Sequence, residues 1–328
     1  MYCFIMNPTA SSGMGRRVWK KLKPILDARD VEYKLLVFNK IEKLVAFVSA
    51  ATGGGITEET TKTLGKKSLN ILQNASSIHL VVLGGDGTLN LVLNAIVNLN
   101  NTKLSCIRIG SGNDFARNNG IDKKPEKALL HLLDEPEELL LDYGEATYED
   151  DVGQTTTKRF IISSGVGYDA DICEEVSKSK LKKKLNKLYM GKLVYVAVGI
   201  KQIFSRKTTK VTLYMDDNNT VSVDRLFFSV GMIHKMEGGG VPFCPDADPT
   251  DGYLDICLAS AAPIPKLLLE VLMVYRGKHI LFSNIDQYRS RSVRVVTSEP
   301  QWIHMDGETP CRVRNVTLSC RQGLHFVK

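Results

Sequence analysis

The sequence predicts an α/β domain followed by a β-rich one, an architecture of the α/β plus β class, and three observations carry that expectation. The chain has 328 residues, and at ~100–200 residues per domain this suggests two domains. The first 140 residues alternate short apolar runs with helical patterns, the signature of βαβ units around a parallel sheet. Beyond them the helices thin out and strand-like runs joined by short turns take over, which reads as a sandwich.

In chain order, Tyr2–Asn7 is a buried strand, and Met14–Asp27 a helix through Val18, Trp19, Leu22, Ile25 and Leu26. Pro24 should kink or divide that helix. Strands follow at Tyr33–Phe38, Ser77–Leu83 and Leu104–Ile109, with helices at Glu42–Ala51, Thr88–Asn98 and Pro125–Leu133. Thr52–Lys67, rich in Thr, Gly and Lys without periodicity, reads as a surface loop. In the second half, strands are expected at Leu139–Thr147, Lys158–Ser164, Lys210–Met215, Thr220–Val230, Tyr253–Ala259, Ser292–Thr297 and Val313–Cys320. The tract from Asp216 to Thr220 (DDNNT) is a hairpin signal, and Leu188–Phe204 and Pro265–Arg276 read as the long helices.

Composition excludes several classes. A hydrophobic fraction of 43% and a charged fraction of 24% are ordinary globular values. With 43 Lys plus Arg against 36 Asp plus Glu, the charge of +7 favours acidic partners such as phosphates or an anionic membrane. Seven scattered cysteines, with no CxxC pair, read as reduced cytosolic thiols. The N-terminus lacks a basic n-region and a long h-region, so no signal peptide is expected. No run approaches ~18 apolar residues; Leu193–Ile200 is broken by Lys201. The protein should not span a membrane, though it could sit on one.

The most informative segment is LGGDGTLN, Leu83 to Asn90. An apolar strand delivers the chain into Gly84, Gly85, Asp86, Gly87 and Thr88, and a helix follows. Glycines at such a junction let backbone N–H groups approach a phosphate, aided by the positive helix end. Thr88 can cap the helix or bond a phosphate oxygen. Asp86 is unexpected there, because a carboxylate beside a phosphate repels it unless a cation or a proton transfer intervenes. A second glycine turn, Gly110-Ser111-Gly112-Asn113-Asp114, follows the next strand. Two such turns on neighbouring parallel strands, with Asn7-Pro8 at the end of the first, make a nucleotide cleft at the carboxyl edge of the sheet. No GxxxxGK[ST] occurs, which excludes a P-loop. Gly165–Ala170 (GVGYDA) matches GxGxxA, but no acidic-ended strand follows about twenty residues on, so a Rossmann fold is rejected.

Five segments in order, GGDGTLN at 84–90, GSGNDFAR at 110–117, GVGYDA at 165–170, PDADPTDGYLDI at 245–256 and MDGE at 305–308, resemble the diacylglycerol kinase catalytic-domain family, and within it the soluble bacterial lipid kinases. The resemblance runs from Asn7 to the C-terminus. It implies an N-terminal parallel α/β domain similar to NAD kinase and phosphofructokinase, and a C-terminal β-sandwich. The nucleotide-binding domain would be 1–140, joined by roughly 312–328, and the lipid-substrate and metal domain 141–311, entered through Asp142-Tyr143-Gly144. ATP would be the phosphate donor and Mg²⁺ the metal. Carried over by motif, Asn7, Pro8, Ser12, Gly13, Gly84 to Asn90 (with Leu89), Ser111, Asn113 and Asp114 would bind the nucleotide. Asp248, Asp251 and the carbonyl of Tyr253 would hold Mg²⁺. Asp86, Asp306 and Glu308 are the candidate acid/base groups, with Glu308 favoured as base and Asp306 orienting it.

Read without the resemblance, the acids from Asp246 to Asp255 suit either a Mg²⁺ or Ca²⁺ turn or a solvated loop, and Asp306-Gly307-Glu308 alone reads as a hairpin turn. Six lysines between Lys178 and Lys187 read either as a solvated loop or as an anionic-membrane contact. No aromatic-interleaved basic motif points to nucleic acid. The expected function is an ATP-dependent lipid kinase, phosphorylating diacylglycerol to phosphatidate at the inner face of the membrane from the cytoplasm. Another lipid hydroxyl (a sphingoid base, for example), NAD, or a non-catalytic lipid-binding role stay open, as does a homodimer.

Overall fold

The computed structural model describes residues 1–7, 13–75, 77–110, 112–150, 152–178, 191–205, 208–216 and 218–328, with the backbone alone for 191–196. The chain divides into two compact units, Met1–Leu141 with Gly323–Lys328, and Asp142–Gln322. The segment that returns to the first unit is therefore shorter than the 312–328 read from sequence, because residues before it pair within the second unit.

Unit 1 is a parallel sheet in the order β2 (Tyr33–Val37), β1 (Tyr2–Met6), β3 (His79–Gly84), β4 (Leu104–Arg108). Phe326 pairs in parallel with Leu104 and closes the β4 edge. Every residue of β3 beyond His79 is buried, as a strand covered on both faces requires. Helix α1 (Met14–Ala28) buries Gly15, Val18, Leu22 and Leu26, an i, i+3/i+4 stripe. It runs unbroken through Pro24, against expectation. Pro24 and Lys20 both lie on the exposed face, so water can satisfy the carbonyl that loses its amide partner. Helix α2 (Ile41–Ser49) continues into a wider turn at Ala50–Gly54. The stretch read as a loop instead forms α3 (Glu58–Thr63) and α4 (Lys66–Asn74). Thr57 caps α3 by accepting the Thr60 N–H at 3.1 Å, with Glu58 and Glu59 in the first turn. Helices α5 (Asp86–Ala95), α6 (Asp114–Asn118) and α7 (Pro125–Asp134) complete the unit.

Unit 2 is the β-sandwich. Strands β12 (Ile285–Ser290), β11 (Leu254–Ser260), β10 (Leu226–Met232), β7 (Ser163–Gly167) and the end of β13 (Ser292–Met305) pair antiparallel in that order. The first half of β13 pairs instead with β8 (Val211–Met215) and β14 (Arg312–Val327). Its register breaks between Val296 and Gln301, so one strand bends to serve both layers. Hairpins add β9 (Thr220–Val223) to β8, and β6 (Thr155–Phe160) to β5 (Glu138–Glu149). Between the layers lie Phe160, Val166, Leu213, Leu254, Ile256, Val295, Ile303, Val316 and Leu318. The runs Lys158–Ser164 and Thr220–Val230, each expected as one strand, are each divided in two. Helices α8 (Tyr168–Lys178), α9 (Gly191–Ser205) and α10 (Ile264–Val274) belong to this unit. Among the described residues no helix is long and apolar enough to cross a membrane.

Candidate active site

In unit 1, α1 and α5 begin at the carboxyl ends of the paired strands β1 and β3. Among the described residues neither helix has a side-chain cap; in α5 the Thr88 and Leu89 N–H groups donate to the Gly85 carbonyl at 3.0 and 3.1 Å, and each helix start presents its positive end to a ligand. Asn7 directly follows β1, and Gly13, at φ +85°, sets the left-handed turn into α1. Pro8, Ser12 and Ser111 lie outside the described residues. Gly84 ends β3; Gly85 precedes α5; Asp86, Gly87, Thr88, Leu89 and Asn90 form its first turns. Thr88 neither caps nor faces outward: it is buried, and a Cβ on Gly84 would sit 2.6 Å from its own Cβ.

The two glycine turns touch backbone to backbone. A Cβ on Gly85 would lie 3.1 Å from Cα of Gly110, and one on Gly110 would lie 2.8 Å from Cα of Gly85. Asn113, left-handed at φ +54°, holds the second turn by accepting the Gly110 N–H at 2.8 Å. Asp86 explains its own presence. Its carboxylate accepts the N–H of Asp114 at 3.0 Å and of Phe115 at 3.1 Å, the first amides of α6. Burial raises its pKa, with those amides pulling the other way. From the first turn of α5 the carboxylate thus braces the start of α6. Asp114, also buried, pairs with Arg117 at 2.5 Å.

In unit 2, Asp306 occupies the turn after β13 at φ +49°. Its carboxylate accepts three backbone amides, Ile161 and Ile162 at 2.8 Å and Ser163 at 3.1 Å. This is what separates β6 from β7. Asp306 is an anchor with both oxygens engaged. Glu308, two residues on, is exposed, and no side-chain partner holds its carboxylate among the described residues.

Two residues before Asp306, sequence reasoning missed a buried charge cluster. His304 Nε2 meets Asp169 Oδ2 at 2.9 Å, with Glu237 near them: one donor atom from each lies within 4.8 Å of the others. Burial alone would lower the imidazole pKa; the Asp169 carboxylate, aided by Glu237 and Asp306, reverses this and raises it to about 9. With its pKa so raised, the imidazole is held as an imidazolium between the carboxylates, and the trio as arranged is an ion-pair cluster. The signal lay in GVGYDA. A Cβ on Gly165 would fall 2.3 Å from Asp169 Oδ2 and 3.0 Å from His304 Nε2, so the glycine makes room for the pair.

The acidic turn does not present the expected metal-ligand set. Asp248 Oδ1 accepts the amide and hydroxyl of Thr250, at 3.0 and 2.6 Å. Asp251 accepts the Tyr253 N–H at 2.9 Å and is ion-paired to Arg289. Asp142 ties the turn down, accepting the Gly252 N–H and donating its own N–H to Pro249, both at 2.7 Å. A guanidinium neutralises the carboxylate that Mg²⁺ would need, so these residues as arranged do not fit the ion. Asp255, by burial and the Asp251 charge, is raised to about 6.

Two family models match the chain: the diacylglycerol kinase catalytic domain over residues 1–140, and the YegS C-terminal NAD kinase beta sandwich-like domain over 162–321. Residues 1–140 are thus a diacylglycerol kinase catalytic domain. The YtlR protein of Bacillus subtilis, named as a candidate lipid kinase, is 25% identical over 314 residues, 94% of this chain and 95% of its own. A diacylglycerol kinase of the same organism is 29% identical over 70% of each chain. A crystal structure of a diacylglycerol kinase from Bacillus anthracis shares the fold, with a TM-score of 0.65 at 18% identity over 99% of this chain and 95% of that one. The α/β domain and β-sandwich read from sequence are thus the family's fold. Of the lysine cluster read as a solvated loop or an anionic-membrane contact, only Lys178 is described; it pairs with Glu174 at 2.5 Å and lies over Trp302. Lys180, Lys182, Lys183, Lys184 and Lys187 lie outside the described residues.

Proposed function

We propose that this chain transfers the γ-phosphoryl group of ATP to a lipid hydroxyl, with diacylglycerol as acceptor and phosphatidate as product. The observation that carries the reading is the pair of glycine turns in unit 1. The turns close on each other at Gly85 and Gly110, Gly85 leaves the head of α5 without a side-chain cap, and the Asp86 carboxylate between them is held by the first amides of α6; a glycine turn at such a helix start suits polyphosphate. The α5 and α1 amides would bind the phosphates, with Asn7, Gly13 and the Gly84–Asn90 turn around them. Glu308, whose carboxylate is unengaged, would accept the proton of the lipid hydroxyl. Asp306 would hold the turn that carries Glu308, and Asp86 the contact between the two glycine turns. Mg²⁺ would neutralise charge on the nucleotide phosphates; the Asp248–Asp251 turn takes no part in that step. The lysines from Lys178 to Lys187 would hold the protein on an anionic membrane.

Labelled ATP offered with a panel of lipids in mixed micelles tests this. Diacylglycerol should be labelled well above sphingoid bases and other lipid alcohols. Preferential labelling of another lipid would move the acceptor, and no transfer to any of them would overturn the kinase reading.

A further inference from the structure

Helix α10 carries large apolar side chains on its outer side as well as its inner one. It buries Leu267 and Glu270, while Leu269 and Leu272 are 48% and 69% exposed and Tyr275, just past its end, is 55% exposed. The short turn that follows, His279–Leu281, leaves Leu281 77% exposed. Helix α9 packs against α10 and adds Ile200 and Phe204, exposed one helical turn apart. An exposed apolar surface continuous over neighbouring elements marks a docking site.

The charges around the face say what covers it. Lys266, Arg276 and Lys278 border it, and among the described residues none of them is ion-paired. The single acid of α10, Glu270, faces the core, where burial raises its pKa. Lys201 of α9 is already neutralised by Glu175. Apolar side chains between unpaired cations fit a bilayer surface, with acyl chains against the leucines and anionic headgroups at the cations. A water-soluble protein partner would offer no reason for the one acid to be turned inward.

We propose that the face formed by Leu269, Leu272, Tyr275 and Leu281, extended by Ile200 and Phe204, enters the surface of an anionic membrane. The inference rests on the lipid kinase reading to the extent that such an enzyme meets its acceptor in a bilayer; it adds where this chain makes the contact.

The full chain carrying Leu272→Glu and Leu281→Glu tests it by co-sedimentation with phosphatidylcholine vesicles containing phosphatidylglycerol. Both sites are exposed, so melting should match the parent while vesicle binding falls roughly tenfold or more. In a second variant, Leu281→Trp, the emission of the new indole should shift to the blue and be quenched by brominated phosphatidylcholine. Parent-like binding by the double variant, or an indole at that position left unquenched, would overturn the inference. So would unchanged vesicle binding with loss of self-association, which would give the face to a second copy of the chain. No phosphoryl transfer enters these measurements, so a protein that binds through this face yet labels no lipid would sink the kinase reading alone.

Discussion

Replacing Asp86 by Asn separates two roles that a carboxylate in this turn could have. As the acceptor of two amide N–H groups at the start of α6, Asp86 joins turns that are 28 residues apart in sequence. Asn keeps one oxygen but sets an NH₂ group against one of those amides. One buried donor is left unpaired, at a cost of about 1–3 kcal/mol. For a unit of this size, at about 2–4 °C per kcal/mol, the melting temperature should fall by roughly 2–12 °C. Asp86→Ala, which removes both acceptors, should fall further. Differential scanning calorimetry measures the shift, and titration with a non-hydrolysable ATP analogue should show weakened binding, because the two turns no longer hold each other. An Asp86→Asn protein with the parent's melting temperature and ATP affinity but no turnover would refute the anchoring argument and make Asp86 the base.

Gly110→Ala and Gly85→Val should both weaken ATP-analogue binding by calorimetric titration, because the new Cβ meets backbone that cannot yield; parent affinity in either would show that the turns part freely. Asp306→Ala leaves three amides without an acceptor and should lower the urea midpoint strongly. Glu308→Gln should instead keep the parent's midpoint and cut turnover by roughly 10²–10⁴-fold; a stable, fully active Glu308→Gln protein would remove it from the chemistry. His304 is raised from 6.5 to about 9, so its contribution to stability is complete below pH 6.5 and is lost as pH rises through 9. The urea midpoint of the parent should fall across that window relative to His304→Gln, and parallel profiles would show that the imidazole is neutral.

What the sequence made legible was local. GGDGT announced a strand, a turn and a helix because glycines and an apolar run sit side by side, and DDNNT announced the β8–β9 hairpin because Asp and Asn favour a tight turn between two strand-like runs. The partners of the acids were hidden, since Asp86 meets Asp114, Asp306 meets Ile161, and His304 meets Asp169 only after strands far apart in the chain are paired. The loop expected at Thr52–Lys67 was misread because periodicity was sought where α3 has a single buried residue, Thr60. The Thr57 cap and the two glutamates after it were the available sign. Strand β12 went unseen because Ile285–Ser290 buries only its two ends, and an edge strand of that kind carries little alternation. The same limit applies to α10, whose sequence resembles a core helix and whose solvent-facing side appears only in three dimensions.

The pairing of Phe326 with Leu104 has a consequence for how the protein is made. Phe326 is fully buried, lies edge-on to Phe115 at 4.9 Å, and is followed by Val327, whose carbonyl accepts the Ser105 hydroxyl. These contacts belong to unit 1 but come from residues that leave the ribosome after the whole of unit 2. Until then the β4 edge is unpaired and the Phe115 pocket is empty, a template open to wrong strands. The glycine turns, which rest on β3, β4 and α6, can therefore be fully braced only once Phe326 and Val327 have been made. A fragment ending near residue 140 should be a poor folder, and its glycine turns poor binders, however complete its motifs look.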